Sequence, residues 1–303
     1  MTTYRLFDSL LAICLARDPR PAAVVYPCSA EALLGAMESA RLGLIRPILV
    51  GPVPQIRSLA EARQIDLGRT TMEHAATPIE AARRAAALVS EGRVTLLMKG
   101  SLHTDELMSV VVSREAGLRT GRRISHSFVM DIPMYPRLLH ITDAAVNIAP
   151  DLQTKRDIAR NCIELAQALG VERPKLAILS AVETVTAGLP ATADAAALCE
   201  MAKRGEITGA EVNGPLSFDI AISAEAARIK GVVSSVAGAP DIVLVPGIES
   251  GNILFKALCY LAGARAAGVV LGARVPVVLT SRADDATTRL VSTIVACQCP
   301  SGP

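Results

Sequence analysis

The sequence VTLLMKGSLHTDE at residues 94–106 carries the clearest sign of this chain's fold class. Its first five residues form a short apolar run typical of a buried strand, and a glycine follows shortly after. Residues 103–115 then show the apolar spacing of a helix. A buried strand that leads through a glycine turn into a helix is the repeating unit of sheets covered by helices on both faces.

The same pattern extends in both directions from this stretch. Short apolar runs alternate with longer helical segments, and the runs are continuous, as in strands buried on both faces. The sequence therefore predicts an α/β fold with mainly parallel sheets. The predicted strands are 22–26, 47–51, 94–98, 127–131, 138–142, 175–179, 241–245, 267–271 and 276–280. The predicted helices are 30–43, 55–65, 79–91, 103–115, 151–169, 192–204, 217–230, 250–265 and 285–296.

The break NIAPD at 147–151 is the best candidate for a domain boundary. It contains a proline and precedes a long predicted helix, whose first turn Asp151 would cap. No low-complexity linker or charge block interrupts the chain. We expect two α/β lobes joined without a flexible tether, with ligands bound in a cleft at the carboxyl ends of the strands.

Composition and charge exclude several classes of function. The net charge is +2 with both signs scattered, which argues against a nucleic-acid binder. The seven cysteines are scattered, so we expect neither a zinc site nor a disulfide framework, and we expect a reducing, cytoplasmic compartment. No apolar run reaches the roughly 18 residues of a membrane span. Residues 6–15 have the spacing of an amphipathic helix rather than of a signal peptide.

Four polar loops follow apolar strands, at the edge where open α/β sheets bind ligands. In the first loop, Lys99, Gly100, Ser101, His103 and Thr104 lie between a predicted strand and a predicted helix. A glycine turn would expose backbone N–H groups beside the lysine, which suits a phosphate group. The alternative is an ordinary strand–loop–helix connection with a structural histidine.

The second and third loops combine glycine with polar side chains. The sequence Asn213, Gly214, Pro215 leads into the predicted helix 217–230, and a plain turn is the alternative. The third loop opens the predicted helix 250–265, whose amino end could bind an anion or another ligand. Its candidate residues are Glu249, Gly251, Asn252 and Lys256.

The fourth loop crowds a hydroxyl, a guanidinium and two carboxylates after the predicted strand 276–280. These are Ser281, Arg282, Asp284 and Asp285. Arginine suits two-point binding of an oxyanion, and a nearby carboxylate could act as a base. The alternative is that one of the two aspartates caps the last helix.

Several common catalytic motifs are missing from the sequence. It contains no G-x-G-x-x-G fingerprint, no G-x-S-x-G nucleophile elbow and no H-E-x-x-H pair. The third loop lacks the Gly-Lys-Ser/Thr of a P-loop. These absences argue against a nicotinamide-dependent enzyme, a hydrolase, a metalloprotease or a nucleotide hydrolase.

Six stretches, taken in order, resemble the phosphate acetyltransferase/phosphate butyryltransferase family, and the resemblance covers roughly residues 20–296. They are LMKGSLHTDELM (97–108), GLRTGRRISHSFVMDIP (117–133), LLHITDAAVNIAPDL (138–152), NGPLSFDIAIS (213–223), ESGNILFKAL (249–258) and AGVVLGARVPVVLTSRAD (267–284).

The resemblance implies two three-layer lobes like those of the isocitrate and isopropylmalate dehydrogenases, with the active cleft between them. In that architecture the last strand and helix return to the first lobe, so we expect lobes of 1–147 plus 275–303 and of 148–274. The resemblance further implies a homodimer, coenzyme A as a substrate rather than a permanently bound cofactor, inorganic phosphate as the other substrate, and no metal.

The resemblance also implies roles for the fourth loop. Arg282 would hold phosphate, Ser281 would contact the thioester or thiol, and an acidic residue of the following helix would take the thiol proton. The expected activity is reversible transfer of a short acyl group, acetyl or butyryl, between coenzyme A and phosphate. In the acetyl branch that acidic residue stands seven positions after the serine, where this chain has Thr288, so Asp284 and Asp285 are the candidates for the base.

Two other readings stay open at this point. Asn213 replaces the family's usual aspartate, and Ser109 stands where many members carry arginine, so a degenerate metabolite-binding protein of the same fold is one alternative. A two-lobe dehydrogenase is the other, although the sequence shows no nicotinamide site and no cluster of aspartates for a metal.

Overall fold

The computed structural model describes residues 5–281 and 284–300, which divide into two compact units. The first comprises residues 5–124 and 266–300 of the described chain, and the second comprises residues 125–265. The units therefore change at 124/125 and 265/266 rather than at the predicted 147/148 and 274/275. The strands after residue 124 account for the earlier change, because they pair with strands of the second unit.

The first unit contains the described chain's amino-terminal and carboxy-terminal helices. Its helices are α1 (Arg5–Leu15), α2 (Ala30–Arg41), α3 (Val53–Ala62), α4 (Pro78–Ser90), α5 (Thr104–Val111) and α11 (Ala286–Gln298). Its strands are β1 (Arg20–Val25), β2 (Ile45–Gly51), β3 (Thr71–His74), β4 (Leu96–Lys99), β10 (Arg265–Leu271) and β11 (Val277–Val278).

The strands of the first unit lie in the order β3-β2-β1-β4-β11-β10. All of these pairs are parallel except β10 with β11. The register places Val25 opposite Lys99 and Met98 opposite Val278. The carboxyl ends of β1, β4 and β11 therefore meet at one edge of the sheet, where the first and fourth polar loops begin.

The second unit contains five helices and five strands of the described chain. Its helices are α6 (Leu152–Ala168), α7 (Pro190–Lys203), α8 (Phe218–Ile222), α9 (Ala224–Ile229) and α10 (Ile248–Ala262). Its strands are β5 (Ser125–Asp131), β6 (Leu139–Thr142), β7 (Lys175–Leu179), β8 (Glu211–Leu216) and β9 (Ile242–Leu244), in the order β5-β6-β9-β7-β8. Only β5 and β6 pair antiparallel within this set.

Small side chains build much of the core. Residues 22–25 of β1 are fully buried, and α4 packs on β1 and β2 through buried Ala81, Ala82 and Ala85. Alanine at these positions lets the helix approach the sheet closely, as the alanine-rich, tryptophan-free composition predicts. The predicted α/β fold with mainly parallel strands is confirmed.

Two predicted features of the second unit are wrong in detail. The predicted helix 217–230 is divided into α8 and α9, because Ser223 is extended and its Oγ accepts the N–H of Ala226 at 3.2 Å to cap α9. The predicted turn at 213–215 lies inside strand β8. This strand is the last of its sheet, where one unpaired edge tolerates proline and polar residues.

The amino-terminal helix is confirmed as α1, which buries Phe7, Leu10 and Cys14. Within the described ranges, none of the helices is both long and apolar enough to span a membrane.

Candidate active site

Gly100 ends strand β4 at a point where no side chain fits. Its N–H donates to the carbonyl oxygen of Val25 at 2.8 Å. A Cβ atom at this position would overlap the carbonyl oxygens of both Val25 and Tyr26. The close approach of two backbones therefore explains the glycine of the first loop.

We expect Gly100→Ala to disrupt this loop, because backbone carbonyls cannot move aside as a flexible side chain can. The loss should be on the order of 3 kcal/mol in the free energy of unfolding, with a parallel loss of activity. Gly121→Ala is the matched control, since a Cβ there meets nothing within 4 Å. Chemical denaturation of both variants checks this, and equal stabilities would contradict the close-approach argument.

Ser101 and His103 have largely structural contacts in this loop. Ser101 Oγ donates to the carbonyl oxygen of Tyr26 at 2.8 Å and accepts the N–H of Cys28 at 3.0 Å. His103 is exposed, and its backbone N–H donates to Glu106 Oε2 at 2.7 Å, just before Thr104 opens α5. Because the Glu106 carboxylate lies at the positive end of α5, this helix start suits an anion less well than its sequence indicates.

Lys99 is buried rather than presented to solvent, with 1% of its surface exposed. Its Nζ donates to the carbonyl oxygen of Thr280 at 3.1 Å. This bond joins residues that are 181 positions apart in the sequence. The first and fourth loops are therefore neighbours in the structure, and the Lys99 ammonium group connects them.

Arg289 is the main residue that sequence reasoning missed. Its side chain is fully buried, and its Nη1 donates to Thr280 Oγ1 at 2.9 Å and more weakly to the carbonyl oxygen of Lys99 at 3.4 Å. Its Nη2 donates to the carbonyl oxygen of Ser281 at 2.9 Å. Burial lowers the pKa of this guanidinium, and the negative charge of Asp284 acts in the opposite direction.

One signal in the sequence could have identified Arg289. It is the only charged residue of α11, a helix otherwise composed of uncharged residues. A charged residue in such a helix either lies on the solvent-exposed face or is buried. A buried arginine side chain needs hydrogen-bond acceptors around it. Gly35 of α2 provides the space for its stem, since a Cβ there would lie 2.9 Å from Arg289 Cβ.

The two candidate bases differ in their surroundings. Asp285 caps α11, with its Oδ1 accepting the N–H of Thr288 at 2.7 Å. Asp284 Oδ2 accepts the N–H of Ser281 at 2.6 Å. Burial raises the pKa of Asp284, against the lowering effects of the Ser281 N–H, Arg289 and Lys99. The helix-cap alternative thus applies to Asp285, and Asp284 is the better candidate for a base.

The predicted phosphate ligand Arg282 lies outside the described residues. Its neighbour Ser281 is exposed. Lys99, Gly100, Ser101, Ser281 and Asp284 all belong to the first unit, and the hydrogen bonds of Lys99 and Arg289 connect the two loops that carry them.

The candidates of the second loop lie in the second unit. Asn213 is half-buried and pairs with Ala177 in the sheet. A Cβ on Gly214 would lie 2.7 Å from Ile178 Cβ, so this glycine also marks a close approach. The bond from Gly214 to Pro215 is cis.

Just after these residues, a compact polar cluster follows β8. Ser217 Oγ hydrogen-bonds both Glu183 and Asp219, the latter at 2.6 Å, and Lys230 Nζ lies 2.9 Å from Asp219 Oδ2. The Ser217 hydroxyl and Lys230 lower the pKa of Asp219 to about 2. The sequence analysis assigned no role to this cluster.

The third loop opens α10 in the second unit. Gly251 is buried, and a Cβ there would lie 2.8 Å from Ala144 Cβ. Asn252 Nδ2 donates to the carbonyl oxygen of Ala144 at 3.4 Å. Glu249 and Lys256 are exposed. Gly251 and Asn252 therefore allow α10 to pack against the backbone at Ala144. The charged side chains of Glu249 and Lys256 face solvent.

Among residues 5–281 and 284–300, no group of three or more histidine, cysteine, aspartate or glutamate side chains is placed to hold a metal ion.

The fold and the arrangement of the loops define an α/β phosphotransacylase. A branched-chain phosphotransacylase from Enterococcus faecalis superposes with a TM-score of 0.78 and 28% identity, covering 92% of this chain and 98% of that one. A 4-hydroxythreonine-4-phosphate dehydrogenase from Klebsiella pneumoniae shares the fold alone, with a TM-score of 0.55, 14% identity and coverage of 93% and 99%. The dehydrogenase-like fold implied by the sequence is thereby confirmed.

Sequence relatives specify the family. A family model described as "Phosphate acetyl/butaryl transferase" matches residues 61–297. A phosphate acetyltransferase of Rhizobium meliloti is 56% identical over 96% of this chain and 92% of its own length. A phosphate butyryltransferase of Clostridium acetobutylicum is 38% identical over 96% of both chains. The chain belongs to the phosphate acetyl/butyryl transferase family, which confirms the predicted phosphate acyltransferase activity.

Proposed function

We propose that this chain transfers an acetyl group reversibly between coenzyme A and inorganic phosphate, with the first and fourth loops of the first unit as its catalytic centre. The observation that carries the proposal is the joining of these loops by Lys99 and Arg289 at the carboxyl edge of the sheet. Lys99, Arg289 and Arg282 carry three positive charges on or beside these loops, against the two carboxylates of Asp284 and Asp285. This positive balance favours an anionic substrate such as phosphate.

Acyl transfer at this centre proceeds by direct attack within a ternary complex. A phosphate oxygen attacks the thioester carbonyl carbon, the carbon–sulfur bond breaks, and coenzyme A leaves as the thiolate. Arg282 holds the phosphate against the thioester, and Ser281 donates to the carbonyl oxygen or sulfur. The backbone N–H groups of Gly100, Ser101 and His103 already donate within the protein, so they are not assigned to the phosphate. In the reverse direction Asp284 takes the thiol proton.

The residues of the second unit complete the proposal. Asn213, Gly214 and Pro215, together with Glu249, Gly251, Asn252 and Lys256, are proposed to bind substrate. Their support is the match of both stretches to the family, together with the exposed charges of Glu249 and Lys256.

The preference for acetyl over butyryl rests on the relatives. Those named phosphate acetyltransferase reach 56%, 51%, 50%, 49% and 42% identity, whereas those named phosphate butyryltransferase reach 38% and, for a probable one, 44%. A series of acyl-coenzyme A substrates from two to five carbons, each with phosphate, tests it. We expect kcat/KM to be highest for acetyl, and a maximum at butyryl would contradict the proposal while leaving the activity class intact.

Asp284→Asn tests the proposed base. In the direction from acetyl phosphate to acetyl-coenzyme A, activity requires the carboxylate and rises with pH through its pKa. Because burial raises that pKa, this acidic limb lies above the usual range of an aspartate. We expect Asp284→Asn to remove the limb and to lower the rate roughly 10- to 100-fold.

Asp285→Asn is the matched control for this prediction. It weakens the cap of α11, with an expected loss of at most about 1 kcal/mol in the free energy of unfolding, and it leaves the pH profile unchanged. A larger loss of turnover in Asp285→Asn than in Asp284→Asn would reassign the base. Full activity in both variants would show that the thiolate forms without either carboxylate.

We also propose a homodimer in the cytoplasm. Helix α10 exposes Ile253, Tyr260 and Leu261, apolar side chains that a second copy could cover. The seven cysteines are thiols rather than halves of disulfides, which suits a reducing compartment. Light scattering on the purified chain tests the dimer, and a monomer at micromolar concentration would contradict it.

A further inference from the structure

Three of the seven cysteines meet where α1 packs on the end of α11. Cys14 belongs to α1, Cys297 lies near the end of α11, and Cys299 follows that helix. Cys14 Sγ lies 3.5 Å from the carbonyl oxygen of Ile294 and accepts from Gln298 Nε2 at 3.2 Å. The Cys14 sulfur therefore sits over the last turn of α11, and Cys14 and Cys297 line the same cavity. The Cys297 thiol donates to the carbonyl oxygen of Leu44 at 3.6 Å.

Arg20 at the start of β1 holds this end of α11 in place. Its Nη1 donates to the carbonyl oxygens of Ala296 at 2.9 Å and of Cys299 at 2.7 Å. Its Nη2 donates to the carbonyl oxygen of Thr95 at 2.9 Å. Charge-assisted bonds of this kind are stronger than neutral ones, so the end of α11 that carries Cys297 is held near Cys14, beside a half-buried cation.

A cavity of about 650 Å³ gives solvent access to the cluster. Its lining includes Cys14, Cys297 and Cys299 together with Arg17, Arg20 and Arg46. Cys297 is only half-buried. A molecule as small as a peroxide can therefore reach the sulfur atoms while the protein stays folded.

Cys14 also differs from the other cysteines in its acidity. The hydrogen bond from Cys297, and then the positive charges of Arg17 and Arg20, lower the pKa of the Cys14 thiol. Burial instead raises the pKa of Cys162 and of Cys299 to about 12. The thiolate is the nucleophile in thiol oxidation, so we expect the Cys14 sulfur to attack first. The Cys297 thiol keeps its proton at this stage.

We propose that Cys14 and Cys297 form an oxidisable dithiol, a modification site at which hydrogen peroxide closes a disulfide between the first and last helices. The Cys14 thiolate attacks one peroxide oxygen, the O–O bond breaks, and with one proton the products are the sulfenic acid and water. The Cys297 sulfur then attacks the Cys14 sulfur, its proton leaves with the hydroxyl as a second water, and the S–S bond forms. In total, two thiols and one peroxide give one disulfide and two waters.

The crosslink would affect stability more than chemistry. It joins positions almost a full chain length apart, which strongly restricts the unfolded state. Its sulfur atoms lie at the far end of α11 from Arg289 and Asp285. We expect the melting temperature to rise by at least roughly 5 °C, with turnover within about twofold of the reduced protein.

Peptide mapping of the full chain tests the proposal. The reduced protein is treated with a few equivalents of hydrogen peroxide, blocked with an alkylating reagent, and digested without reductant. We expect two of the seven thiols to be lost, a peptide pair joined through residues 14 and 297, and reversal by dithiothreitol. Cys299→Ser should still form the pair, as should Cys259→Ser, whose cysteine lies in α10 of the other unit.

Cys297→Ser separates the dithiol from general oxidation. Left without its partner, Cys14 should gain one oxygen and form no crosslinked peptide. A Cys14 that stays a free thiol while other cysteines oxidise would overturn the proposal. A crosslink from Cys14 to Cys299, or a crosslink that persists in Cys297→Ser, would also overturn it.

Discussion

Arg289→Met is expected to lower phosphate-dependent acyl transfer by roughly 100-fold or more, while the protein stays folded. Methionine fills much of the same space, but it cannot donate to Thr280, to Ser281 or to the carbonyl oxygen of Lys99. Loss of these bonds releases the fourth loop from the end of β4, and misplacement of a catalytic group by about 1 Å is enough for an effect of this size.

The expected change in stability is smaller, because two effects oppose each other. Three charge-assisted hydrogen bonds are lost, each contributing roughly 1.5–3 kcal/mol. However, a buried cation that forms no ion pair with any described residue is removed as well. We expect the free energy of unfolding to change by less than about 2 kcal/mol. Arg289→Lys keeps the positive charge, but a lysine ammonium group can reach fewer of these hydrogen-bond acceptors. This variant should therefore recover only part of the activity.

Steady-state kinetics and thermal melts together check this prediction. Arg228→Met is the matched control, since Arg228 is exposed and forms an ion pair with Glu225 three residues before it. Activity of this variant should stay within about twofold. A positioning role for Arg289 predicts a fall in kcat and weaker phosphate binding in the folded variant. An early melt with normal kcat in the folded fraction would instead assign Arg289 a purely structural role.

Arg282→Ala should lower turnover by roughly 100-fold, a loss on the order of 3 kcal/mol of transition-state stabilisation. The reason is that a guanidinium binds two oxyanion oxygens at once, and phosphate is the small anion whose position this fork would fix. Arg282→Lys keeps the charge without the fork, so it should recover only part of the loss. Phosphate affinity should weaken in both variants.

Thermal melts distinguish this role from a salt bridge between Arg282 and Asp284 or Asp285. Unchanged melting with poor turnover in Arg282→Ala supports catalysis. A protein that melts much earlier, yet turns over normally when folded, would overturn the assignment of Arg282 to phosphate.

The fold could be predicted from the sequence wherever strands are buried on both faces. The continuous apolar run of β1 and the run ending in β4 correspond to fully buried strands, because such runs have few other stable placements. The edge strands β3 and β8 were not predicted from the sequence. An edge strand needs fewer apolar residues, and in β8 the sequence Asn213, Gly214, Pro215 has the composition of a turn.

The proximity of the first and fourth loops could be predicted from the sequence, but their connections could not. Both loops follow parallel strands, whose carboxyl ends meet at one edge of the sheet, and that edge is where we predict the ligands to bind. The sequence did not show that Lys99 is buried and donates to the carbonyl oxygen of Thr280. Nor did it show that Arg289 hydrogen-bonds residues of both loops. Those contacts join residues far apart in the chain or on different elements, and only packing creates them.

The most direct test of the central claim is the rate of thiol release from acetyl-coenzyme A by the purified chain at several fixed phosphate concentrations. Direct transfer in a ternary complex predicts no release without phosphate, one acetyl phosphate formed per thiol, and intersecting double-reciprocal plots. Parallel plots, with a burst of thiol in the absence of phosphate, would show an acyl-enzyme and contradict the account. Thiol release without acetyl phosphate would contradict it as well.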